Sequence, residues 1–175
     1  MRIPERDAPS DFETEPFDDY FDRLPEELAN IPEDVAKNWL WYHNRQAVKF
    51  SEFYDFENWE FELCVFDNDE IMEIKHFEYD LNLLDAKGEE FLKSKLQGYD
   101  TADYMLENGT SPCPIIVAKN ASGHIHHQRN EGNYMLEPYH LIEGNRRLAY
   151  LRAMIRNDYE RLQDSHEVWV VTIND

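Results

Sequence analysis

Residues 139–155, YHLIEGNRRLAYLRAMI, restrict what this chain can fold into more than any other stretch. Residues 139–142 form a short apolar run of strand character, and a single glycine, Gly144, follows. Leu148, Leu151, Met154 and Ile155 then recur at helical spacing. A strand that turns through glycine into an amphipathic helix has to bury both elements against a sheet. The pattern therefore points to a mixed α/β architecture.

The turn also carries chemistry. Glycine adopts backbone conformations closed to other residues and lets a ligand approach closely. The first N–H groups of a helix, together with its dipole, favour an anion. Arg146 and Arg147 add forked donors that match phosphate oxygens. Asn145 offers a donor to phosphate or, through its carbonyl oxygen, a ligand for Mg2+. Glu143 stands where a base, or a group that positions metal or water, would be. The competing reading is an ordinary strand-to-helix turn with solvated arginines, and the local sequence does not separate the two.

Periodicity supplies the other elements. Residues 1–30 hold 10 acids, three bases and four prolines, the composition of an irregular arm. Phe12, Phe17, Tyr20, Phe21 and Leu24 could dock that arm on the core or on a partner. Pro32, Glu33 and Asp34 open a long helix that runs to about Tyr54. Its stripe is Val35, Trp39, Tyr42, Gln46, Phe50 and Phe53, read as core. Trp59, Phe61, Leu63 and Val65 alternate as in a half-buried strand. Asp67-Asn68-Asp69 reads as a turn and residues 71–79 as a second strand, which together make a hairpin. Residues 86–97 read as a helix ended by Gly98. A short helix from Asp100 or Thr101 to Leu106 stops at Asn108-Gly109. Residues 114–118 and 167–173 are further strands. The expected fold is α+β, a mixed sheet with flanking helices and an acidic N-terminal helix-and-hairpin extension. The expected divisions are 1–31 (arm), 32–82 (extension) and 83–175 (the unit with the turn).

The formal net charge is −20 and unevenly spread: residues 1–110 carry 29 acids and 10 bases, residues 111–175 carry 8 and 7. DNA affinity comes largely from cations that displace counterions, so nonspecific nucleic-acid binding is disfavoured. A basic protein partner would suit the acidic part, and a small neutralised pocket could still hold a free nucleotide. No run of about 18 apolar residues exists to span a membrane. The acidic N-terminus has no apolar stretch of the kind a secretory signal needs. Cys64 and Cys113 form no disulfide framework, so a reduced, cytoplasmic location is expected.

The segment LIEGNRRLAYLRA resembles the phosphate motif of the ParB N-terminal and sulfiredoxin-like superfamily, written G-E-R-R or G-H-R-R before an alanine-rich helix. Asn108-Gly109 followed by Pro114-Ile115-Ile116-Val117 resembles the glycine-then-PI-V strand of that family. The helix at 86–97 and the strand at 168–171 take the places of its flanking elements. The likeness covers about residues 83–173. It implies ATP or CTP bound with Mg2+, with Gly144, Arg146 and Arg147 on the phosphates. It also implies use of the nucleotide as a clamp switch, a phosphoryl donor or a hydrolysed substrate, and makes an NTP hydrolase or phosphotransferase conceivable. Asn145 stands where ParB proteins carry Glu and where sulfiredoxin carries its reactive Cys, so sulfinic-acid reduction is not expected. No helix-turn-helix domain follows the motif in these 175 residues, so chromosome partitioning is not expected either. On this reading, loss of either arginine abolishes nucleotide binding and spares the fold.

Other groupings carry less. His124, His126, His127 and His140 lack the ligand spacing of a structural zinc site. Asp67, Asp69 and Glu70 lack the spacing and glycine of a calcium loop. Ser165-His166 has no recognisable acid partner. Arg146, Arg147, Arg152 and Arg156 could line a basic ridge for DNA, against which the acidity of the chain argues. The other alternative is an acidic protein-interaction module, in a mobile-element or defence setting, on a degenerate ParB-like scaffold.

Overall fold

The computed structural model describes residues 2–7, 14–94, 99–126 and 134–174. The chain divides into two compact units, at different points from residues 31 and 82. The first comprises Met1–Phe61, Ile125–Asn133 and Ile173–Asp175, and the second Glu62–His124 and Tyr134–Thr172.

The first unit has short helices around an aromatic centre. Its arm is not irregular throughout. Phe17–Asp22 forms helix α1, Glu26–Leu28 a 3-10 turn, and Ile3, Tyr20 and Leu28 are buried. Glu15 pairs with Arg23 at 2.5 Å. The expected long helix is broken. It runs as α2 (Glu33–Val35), widens into a π turn over Ala36–Trp41, and restarts as α3 (Asn44–Phe50). The break is organised by Asn44. Its amide donates to the carbonyls of Leu40 at 2.8 Å and Pro4 at 3.0 Å, and its oxygen accepts the Arg6 N–H at 2.8 Å. A side chain inserted into the helical ladder in this way interrupts it. The wider turn shifts the apolar stripe. Val35, Trp39 and Phe50 remain buried, while Tyr42 and Phe53 come out to solvent. Trp39 stacks on Phe56 with ring centroids 5.2 Å apart and meets Phe50 edge-on at 5.5 Å.

The second unit holds most of a five-stranded sheet ordered β1-β5-β3-β4-β2. Its strands are β1 (Trp59–Asp67), β2 (Ile74–Lys75), β3 (Ile115–Lys119), β4 (Tyr139–Glu143) and β5 (Ser165–Ile173). β3 runs parallel to β5 and antiparallel to β4, while β2 is parallel to β4. The architecture is therefore mixed α+β with flanking helices. The hairpin expected over residues 59–79 does not form, because β1 and β2 lie at opposite edges of the sheet. Between them Asn68–Glu73 is helix α4. Asp67 Oδ1 accepts from the Glu70 N–H at 2.8 Å, and Glu70 Oε2 accepts from the Asp67 N–H at 2.9 Å. This reciprocal capping box starts a helix where a turn was expected. Burial also changes face along β1. Trp59 is buried at its start and Phe66 near its end, leaving Leu63 and Val65 exposed.

Three helices complete this unit: α5 (Glu78–Ser94), α6 (Asp100–Asn108) and α7 (Asn145–Arg156). α5 begins well before the expected Ala86, and the expected stop at Gln97 and Gly98 lies outside the described residues. Gly88 allows α5 and α7 to touch, since a Cβ there would come within 2.2 Å of the Ala149 carbonyl oxygen. Arg152 and Arg156 of α7 both pair with Asp85 of α5 at 2.8 Å. Ile71, Leu84, Phe91, Val117, Leu148 and Val168 belong to the core between sheet and helices.

Candidate functional site

The turn from β4 into α7 has the local shape that its sequence implies. Gly144 sits in the left-handed region at φ 108° and is the N-cap of α7. An L side chain is strained in that region. It would also meet Ile115 Cγ2 at 2.7 Å, so glycine is required twice over. A one-residue register slip between Ile116 and Val117, where β3 pairs with β4, precedes the turn. Such a bulge re-aims the side chains beside it. The N-cap of the twelve-residue α7 is a glycine, which has no side chain to accept from the first turn.

The two arginines of the motif part company here. Arg147 is buried and ion-paired with Glu143, itself buried. Its Nη1 donates to the carbonyls of Cys113 at 2.9 Å and Pro114 at 2.7 Å, and lies 2.9 Å from Cys113 Sγ. The guanidinium thus ties the segment entering β3 to the start of α7. Glu143, read as a candidate base or metal-positioning group, has its carboxylate engaged by this arginine. Through these contacts both residues join the turn to the segment entering β3. Asn145 and Arg146, by contrast, are exposed.

Arg146 lines a cleft of about 210 Å³ with Lys87 and Glu90 of α5, Tyr99 at the N-cap of α6, and Ala149 and Tyr150 of α7. The Tyr150 ring stacks on Phe91 with centroids 3.9 Å apart, which holds it in place. Burial pushes the Tyr150 hydroxyl pKa up, while the nearby positive charge of Arg146 opposes that shift. None of these cleft residues except Arg146 was singled out from sequence. The one available signal was Gly88, an interior helix glycine that marks close packing of α5 against another element.

A larger cleft, of about 370 Å³, is lined by Thr110, Ser111, Cys113, Ser165 and His166 among others. Both ring nitrogens of His166 are engaged, Nδ1 with Thr110 Oγ1 at 2.8 Å and Nε2 with Asn68 Oδ1 at 3.0 Å. Burial lowers its pKa. A Ser165–His166 pairing is therefore not part of these contacts.

Among the described residues, no group of three or more His, Cys, Asp or Glu side chains could hold a metal ion. His126 is buried edge-on to Phe50, and His127 lies outside the described residues. His140 is buried in β4 with its ring centroid 5.3 Å from that of His76. Burial, and secondarily His76, lower its pKa to about 3. The basic ridge on α7 is largely neutralised as well. Arg147 pairs with Glu143, Arg152 with Asp85, and Arg156 with Asp85 and Glu89.

No family model, curated protein or solved structure matches this chain. Among the described residues no helix is long and apolar enough to cross a membrane.

Proposed function

We propose that the chain binds a nucleoside triphosphate, with its phosphates at the Gly144 turn. The observation that carries this reading is a left-handed glycine at the N-cap of a twelve-residue helix whose second residue is the exposed Arg146. N–H groups and dipole at such a helix start favour an anion, and a guanidinium matches phosphate oxygens. Asn145 is the other exposed donor in this turn. Mg2+ would travel with the phosphates and keep several of its waters, as this ion usually does. Hydrolysis needs a group to orient water, and Glu143 is engaged by Arg147.

Thermal melting with and without Mg2+ and millimolar nucleoside triphosphate tests this, since a ligand that binds only the folded state raises Tm. A nucleotide-dependent rise is expected in the native protein and should be lost in Arg146→Ala. A rise of equal size in Arg146→Ala would refute the assignment.

A further inference from the structure

We propose that the cleft beside Arg146 seats the base of the nucleotide and that Lys87 and Glu90 make it select guanine. This rests on the nucleotide reading above and extends it by naming the base.

Size is the first argument. Sites that enclose a drug-sized ligand run to roughly 300–1,000 Å³. At about 210 Å³ this cleft has room for one ring system and not for a whole nucleotide. The phosphates must then lie elsewhere, and Arg146 supplies the continuity: it lines the cleft and is also the second residue of α7. A ligand with its ring in the cleft and its phosphates at the helix start would meet this one side chain from both sides.

The lining is the second argument. Tyr99 is exposed and Tyr150 is held by Phe91, so the cleft offers aromatic surface for a planar ring. Stacking of this kind tolerates any base and does not choose among them. Choice needs hydrogen bonds to the base edge. Lys87 and Glu90 stand three residues apart on α5, a spacing that brings side chains together on one helix face. Lysine only donates, and an ionised carboxylate only accepts. Together they ask for an edge that presents an acceptor and then two adjacent donors. Guanine has that order in O6, N1–H and the N2 amine. Adenine and cytosine place one donor beside an acceptor, and uracil flanks its single donor with two acceptors. Those three can meet each side chain once, but they offer the carboxylate a single donor where guanine offers two adjacent ones. The preference departs from the ATP or CTP implied by the sequence resemblance.

Calorimetric titration of the full chain with GTP, ITP, ATP, CTP, UTP and inorganic tripolyphosphate tests the proposal. GTP is expected to bind at least roughly ten-fold more tightly than ATP, CTP or UTP, the scale of one good bidentate contact. ITP, which lacks the N2 amine and so offers the carboxylate one donor, should lose most of that advantage. Glu90→Gln should collapse the guanine preference, and its melting curve without ligand checks that this exposed helical position still folds. Equal affinity for every nucleotide and for tripolyphosphate would overturn the base seat and leave the phosphate site standing. So would a guanine preference that survives Glu90→Gln, or a preference for another base. Absence of binding by all six probes would overturn both readings.

Discussion

Arg146 and Arg147 are adjacent in the chain and belong to different regions of the molecule. Arg147 lies on the buried side of the turn, where Glu143 and the carbonyls of Cys113 and Pro114 take up its donors. Arg146 lies on the open side, beside a cleft between α5 and α7. Successive residues on a helix point about 100° apart, so a consecutive pair near an interior divides in this way. A doubled arginine need not be a doubled binding group. Here one member maintains the shape of the turn and the other is left for whatever the turn meets.

The contrast is most sharply broken from its buried side. Glu143→Ala leaves Arg147 charged, buried and without its carboxylate. Removing one partner of such a pair costs about 3–5 kcal/mol. Denaturant unfolding should show that loss for the single variant. A Glu143→Met, Arg147→Met double variant, which removes both charges, should be clearly more stable than Glu143→Ala. If the two variants unfold together, Arg147 does not hold the turn through this pair.

A smaller effect is expected in the strand that leads into the turn. The folded-state pKa of His140 lies near 3, below its ordinary value of 6.5, because burial disfavours the imidazolium. The unfolded chain therefore takes up a proton first as pH falls. The contribution of this histidine is complete above about pH 6.5 and is lost progressively towards pH 3. Between pH 7.5 and pH 5 the loss is about 2 kcal/mol for one such group. His76 and His166, whose pKa values burial also lowers, act in the same direction. His140→Gln should flatten the dependence of unfolding free energy on pH over that interval. An unchanged slope would mean that His140 is not held neutral.

The smallest stability effect belongs to the open side. Arg146→Ala removes an exposed side chain, and surface substitutions of this kind usually shift stability by less than about 0.5 kcal/mol. Its unfolding curve should overlay that of the native protein. A loss comparable to that of Glu143→Ala would erase the distinction between the two arginines.

Much of the second unit was legible because its signals are local. The apolar runs at 115–118, 139–142 and 167–173 are strands, Asn108-Gly109 ends α6, and α7 starts after Gly144. The capping box at Asp67-x-x-Glu70 is equally legible, and it starts α4 where the polar run Asp67-Asn68-Asp69 suggests a turn. The π turn was not legible, because it depends on Asn44 reaching Pro4 and Tyr20, which are far away in sequence. The exposure of Leu63 and Val65 was hidden for a similar reason: alternation marks two faces but does not say where along a strand burial changes from one to the other. The cleft residues Lys87, Glu90 and Tyr99 had no motif to mark them, since they come together only where α5, α6 and α7 meet.

The sequence by itself determined the turn. A glycine followed by a helix-forming segment specifies left-handed backbone and a helix start through dihedral preference and hydrogen bonding within a few residues. Only the tertiary structure decided what the flanking side chains do. Glu143 and Arg147 found each other in the interior, Arg152 and Arg156 found acids on α5, and Arg146 remained open. That division depends on which charges burial forces into pairs. Burial is a property of packed elements and not of the order of residues along one of them.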